Sequence, residues 1–146
     1  DGGGGSGGGG GVTSGTATYA STWGGYNTGS GWRSGPLHLN GNVGGFFYGS
    51  GRFRELQGRT IAAARINISR QSGAGSVRAF AVPNAGPSTV STFGPEATVG
   101  TGGWRSLPLS LANYLIAGSG TGGLIFGGSG TLSGLPSGTL QFDWRR

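Results

Sequence analysis

The sequence predicts an all-β fold, an antiparallel β-sandwich of jelly-roll type with one short helix and an N-terminal polyglycine stalk. Three observations carry that prediction. Glycine supplies 37 of 146 residues, and a chain so rich in the poorest helix former after proline builds few helices. Apolar and polar residues alternate in short runs, the two-residue period of a half-buried strand. Gly, Ser, Asn and Pro separate those runs and mark turns. With 34% apolar residues, four Trp, four Tyr and seven Phe, the chain has material for a packed core that disordered glycine-rich chains lack.

In chain order, residues 2–11 are glycine except for Ser6. Such a run is either a flexible linker or, because glycine alone lets backbones touch, an extended threefold helix packed against other copies. The packed form predicts a homotrimer. The expected division is a stalk or linker over residues 1–15 and a sandwich domain over residues 16–146. The chain opens on Asp1 and contains no Met, which predicts the end of a longer polypeptide with partners upstream.

The clearest strand covers residues 139–145, where Leu140, Phe142 and Trp144 share one face and Gln141, Asp143 and Arg145 the other. Residues 62–70 repeat the pattern, with Ala64, Ile66 and Ile68 set against Arg65, Asn67 and Ser69. Residues 45–48, 76–82, 88–93 and 124–126 are further strands bounded by Gly or Pro, giving seven or eight in all. Residues 110–117 break the period: Leu111, Tyr114 and Leu115 stand at helical spacing, with Ser110 as N-cap and Gly118 as stop. Strands on both sides of one helix, with no βαβ alternation, favour a two-sheet sandwich closed at one end by that helix. An up-and-down barrel is the rival architecture.

Charge and composition narrow the function. The net charge of +6 comes from ten Arg and no Lys against four carboxylates, but the Arg are scattered rather than gathered into a basic run, which argues against nucleic acid. No apolar stretch approaches the roughly 18 to 20 residues that span a bilayer, so no membrane partner is expected. With no Cys and a single His, thiolate and imidazole metal sites are not expected, nor is any cofactor. Glycoside hydrolysis needs two carboxyl groups roughly 5 to 10 Å apart. Asp143 reads instead as an outward partner for Arg, and Glu55, after Arg52 and Arg54, reads similarly. No Gly-x-Ser-x-Gly elbow has a supporting His or Asp, and no glycine-rich loop opens a long helix beside a Lys. The expectation is a protein that is not an enzyme.

The richer signal is aromatic residues among Gly, Ser, Thr and Asn. Trp23-Gly24-Gly25-Tyr26-Asn27 and Gly31-Trp32-Arg33 precede the first strong strand, in a stretch that reads as loop. Sugars stack their C–H faces on such rings while Asn, Arg and backbone groups hold the hydroxyls. The same Trp and Tyr could equally be core residues. His38 and Asn40, from Pro36-Leu37-His38-Leu39-Asn40, complete a candidate ligand-binding set of Trp23, Tyr26, Trp32, Arg33, His38 and Asn40.

The order Tyr19, Thr22-Trp23, Gly31-Trp32-Arg33, Gly45-Phe46-Phe47-Tyr48-Gly49, then Leu56-Gln57-Gly58-Arg59-Thr60-Ile61 leading into an Arg-bearing strand, closes with Gly123-Leu124-Ile125-Phe126-Gly127 and residues 140–144. From Tyr19 to Trp144 this resembles the carboxy-terminal domain of minor tail proteins from phages of actinobacteria. Such domains are similar to carbohydrate-binding jelly rolls. The resemblance implies an extracellular virion adhesin, on a tail or fibre, whose partners are a host cell-wall or surface glycan and other virion tail proteins. Between residues 35 and 44 the chain departs from that family, which is more acidic and Tyr-rich there, so the ligand does not carry over. A structural virion component that binds another virion protein, as a capsid decoration or fibre head, is the alternative. A third class, the carbohydrate-binding module of a secreted bacterial enzyme, predicts a catalytic domain upstream of Asp1.

Overall fold

In β13, Thr139–Arg145, Leu140 and Phe142 are fully buried while Gln141 and Asp143 face outward. A computed structural model describes residues 13–73, 75–88, 90, 92–117 and 119–146, and β13 is central to one of its sheets. It runs antiparallel between β1 (Ser14–Tyr19) and β6 (Thr60–Ile68), and β10 (Gly103–Leu107) completes the order β1-β13-β6-β10. The second sheet has the order β3-β2-β5-β11-β8-β9, from Trp32–Ser34, Trp23–Asn27, Val43–Phe47, Gly123–Gly127, Ser76–Val82 and Glu96–Gly100. Every pairing is antiparallel. Without the β2–β3 hairpin, β5-β11-β8-β9 against β1-β13-β6-β10 is the strand order of an eight-stranded jelly roll.

The core lies between these sheets. Ile66, Ile68, Leu140 and Phe142 from one meet Phe46, Ala79, Ala81, Leu124 and Phe126 from the other. Burying each large apolar side chain contributes about 1.5 to 3 kcal/mol. Helix α1, Leu109–Ile116, buries Leu111, Ala112, Leu115 and Ile116 and packs on β6 of one sheet and β8 of the other, so it closes one end as expected. Its N-cap position is Pro108 rather than Ser110, and no side chain caps it; the fixed φ of proline suits a helix start, where no N–H partner is needed. The expected stop, Gly118, lies outside the described residues. A small third sheet, β4-β12-β7 (Leu37–His38, Thr131–Leu132 and Arg70–Ser72), brings fully buried Leu37 and Leu132 into the core.

The strand count is thirteen among the described residues, not seven or eight. The excess is mainly in elements of two to six residues, too short to display a period. No described residue of 88–93 is in a strand, and Phe93 is 58% exposed. There the apolar character belongs to a connection lying against the second sheet. β1 begins at Ser14, with Gly15 opposite Trp144, so the ladder takes in two residues assigned to the stalk. The polyglycine of residues 2–11 lies outside the described residues. No helix among the described residues is long and apolar enough to cross a membrane.

Candidate functional site

The aromatic stretch expected as loop is a β-hairpin. Trp23, Gly25 and Asn27 of β2 point to the outer face of the second sheet, and Trp32 of β3, paired with Asn27, joins them. The indoles of Trp23 and Trp32 meet edge to face with centroids 5.7 Å apart, and lie 5.8 and 5.4 Å from the ring of Phe47. Glycine makes room for this. Gly25 stands opposite Gly45, and a Cβ on Gly25 would sit 2.6 Å from the Trp23 ring and 2.0 Å from the Arg33 carbonyl oxygen. These glycines therefore serve ring packing inside strands rather than turns.

Alternation sends the other expected residues to the opposite face. Tyr26 and Arg33 are cross-strand partners there, and the Tyr26 ring meets the His38 imidazole edge-on at 4.8 Å. His38 Nδ1 lies 3.4 Å from Thr131 Oγ1. Asn40 is committed to structure, since its Oδ1 accepts a 2.8 Å bond from the Gly130 N–H. The six residues thus do not form one loop site. Trp32 also has its polar group engaged: its Nε1–H donates to the Ser88 carbonyl at 3.0 Å, and its ring lines a small cavity of about 190 Å³ with Val90, Phe93 and Ile125.

Trp23 alone of the six lines a larger cleft, of about 610 Å³. One wall is Trp23 and Gly24 with Ser34, Gly35 and Pro36 at the end of β3. The other is Asn67 of β6, Gln71 of β7 and Ser69 between them, and the segment from Ser133 to Ser137 closes it. That segment is anchored: Ser21 Oγ donates to the Ser137 carbonyl at 2.8 Å, and Ser137 Oγ accepts from the Ser69 N–H at 3.0 Å. A Cβ on Gly134 would sit 2.5 Å from the Gly35 carbonyl oxygen, so the closing segment and the first wall touch through backbone. Among the described residues no ionisable side chain lines the cleft. It offers one indole face beside amides and hydroxyls, a combination suited to a polyhydroxylated ring that is apolar on its faces and polar at its edge.

Sequence reasoning did not single out Asn67, Ser69, Gln71 or the serines. Asn67 and Ser69 appeared only as the polar half of an alternating strand. Three segments far apart in the chain meet here, and nothing local marks their convergence.

Charged groups lie elsewhere. Asp143 accepts from both terminal nitrogens of the Arg65 guanidinium, at 3.0 and 3.1 Å, and from the Thr16 hydroxyl at 2.8 Å. The Arg65 bonds, then the Thr16 bond, hold its carboxyl below the ordinary value. The expected outward pairing of Asp143 with Arg is present. Glu96 pairs with Arg78, and Glu55 accepts the Tyr19 hydroxyl at 2.5 Å. Burial, then that bond to Glu55, raises the Tyr19 phenol well above its ordinary range. Tyr19, Glu55, Arg52 and Arg54 border a second, open cleft of about 730 Å³. Among the described residues no three His, Asp or Glu side chains converge. The chain matches no family model, no curated protein and no solved structure.

Proposed function

We propose that this chain is a non-enzymatic carbohydrate-binding domain of a phage tail or tail fibre, and that the cleft beside Trp23 takes a host cell-surface glycan. The observation that carries the reading is the lining itself: one indole with Asn67, Gln71 and several serines, and no ionisable group among the described residues. Unlike Trp32, Trp23 has no hydrogen-bond partner for its indole N–H among the described residues, which leaves that donor for a sugar hydroxyl. The jelly-roll order and the resemblance of Tyr19 to Trp144 to minor tail domains support the same class. Trimerisation through the polyglycine arm belongs to the proposal, because one shallow sugar contact is weak and three copies on one stalk multiply it.

The test is binding of wild type and Trp23→Ala to host cell walls and to a glycan array, at matched folding. The reading expects glycan binding by wild type, weakened at least tenfold in Trp23→Ala. An array blank for wild type overturns it. The second reading, a structural virion component that docks a neighbouring virion protein, draws on Leu135, 51% exposed at the cleft rim. It expects a blank array together with capture of a virion protein.

A further inference from the structure

We infer that Trp104 is a second stacking platform of the same site, so that the site takes an extended, uncharged glycan running from Trp23 over Asn67 to Trp104. This rests on the glycan reading of the cleft. Asn67 lines that cleft and is also the direct cross-strand partner of Trp104, with Thr139 on its other side. Directly opposed side chains in an antiparallel pair stand about 5 Å apart at Cβ. The row Trp104, Asn67, Thr139 lies on the outward face of its sheet, because Ile66 and Ile68 beside Asn67 are fully buried on the inner one.

Trp104 is 44% exposed, the most exposed of the four Trp, since Trp23, Trp32 and Trp144 are all half-buried. Trp23, Trp32 and Trp144 each pack on a hydrophobic cluster, and Trp32 and Trp144 also have a hydrogen bond or an Arg over the ring. Among the described residues Trp104 has no ring partner, no cation over its face and no acceptor for its N–H. The Asn67 side-chain amide likewise has no partner among the described residues. A flat indole, a free amide and the Thr139 hydroxyl therefore continue the chemistry of the cleft across the sheet.

The track is electrically quiet. The next row holds Ser106, Arg65 and Gln141, and the Arg65 guanidinium is satisfied by the bidentate Asp143 pair and by Gln141. Among the described residues of these two rows a sugar acid or phosphate would find no free cation, whereas a neutral chain finds rings, amides and hydroxyls. Length follows from having two rings: a disaccharide at Trp23 does not use Trp104, and a longer chain does.

The experiment is calorimetric titration of wild type, Trp23→Ala and Trp104→Ala with disaccharides and hexasaccharides of neutral mannan, galactan and glucan, at low and high salt. Melting curves accompany it, and Trp104→Ala is expected to melt as wild type does. The expected result is that Trp104→Ala weakens hexasaccharide binding about tenfold and leaves disaccharide binding unchanged. Trp23→Ala weakens both, and salt changes neither. Equal hexasaccharide affinity in wild type and Trp104→Ala overturns the second platform while leaving the glycan reading in place. Preference for acidic oligosaccharides, tested as a competitor arm with polygalacturonate fragments, overturns the uncharged chain. Failure of wild type to bind any glycan overturns the functional reading and this inference with it.

Discussion

Trp23 and Trp32 touch edge to face, with ring planes 88° apart, yet they do different work. The Trp32 N–H is tied to the Ser88 carbonyl and its ring closes a small cavity, whereas Trp23 borders the open cleft. Trp32→Ala is therefore expected to destabilise the fold by about 2 kcal/mol, from lost burial and a lost hydrogen bond. Trp32→Phe, which keeps a ring but not the donor, should cost about half of that. Urea unfolding of the two variants measures both, and a Trp32→Ala protein as stable as wild type contradicts the packing role.

Arg33 stands opposite Tyr26, on the face away from Trp23 and Trp32. Arg33→Lys is expected to leave cell-wall binding unchanged and to shift stability by less than about 0.5 kcal/mol, as for other exposed substitutions. A clear loss of binding at unchanged melting temperature would move the site to the Tyr26 and His38 face.

Gly25→Ala places a methyl where the Arg33 carbonyl oxygen would be 2.0 Å away and the Trp23 ring 2.6 Å away. Backbone cannot yield as a flexible side chain does, so the expected cost is about 2 to 3 kcal/mol, with loss of the β2–β3 pairing. Amide hydrogen exchange, read at β2 and β3, tests it. Protection equal to wild type in both strands would refute the close approach.

Ile66 is fully buried and paired between Leu140 and Arg105. Ile66→Asp puts an unpaired carboxyl there at a cost of several kcal/mol, a large part of an ordinary stability of about 5 to 15 kcal/mol. The variant is expected not to fold. A cooperative thermal transition at the wild-type temperature would contradict the core assignment.

The Asp143 carboxyl is held below its ordinary value of 3.8 by Arg65 and Thr16. With the folded value lower than the unfolded one, the unfolded state binds more protons, so the pair stabilises above about pH 4 and that contribution is lost as pH falls through the folded value. The carboxyl is partly exposed, which limits the effect to about 1 kcal/mol or less. Denaturation of wild type and Asp143→Asn between neutral pH and about pH 2 should show the difference between them shrinking with acid. A difference that grows would reverse the sign.

By itself the sequence determined the elements whose side chains report their own surroundings. The alternation in β6 and β13 placed Ile66, Ile68, Leu140 and Phe142 in the core and Asp143 beside an Arg, because a strand's period of two separates its faces without reference to partners. The spacing of Leu111 and Leu115 marked the helix for the same local reason. The hairpin of β2 and β3 was not legible, since Gly24, Gly25 and Gly31 suggest a turn until Phe47 and Trp23 are seen to need the space above Gly25 and Gly45. Without strand parity, Trp23, Tyr26, Trp32 and Arg33 looked like one cluster, and the structure divides them between two faces. The cleft itself was decided only by tertiary structure. Trp23, Asn67 and the segment from Ser133 to Ser137 meet because the jelly-roll crossovers bring distant strands to one end of the sandwich, and long-range pairing leaves no mark on the residues nearby in sequence.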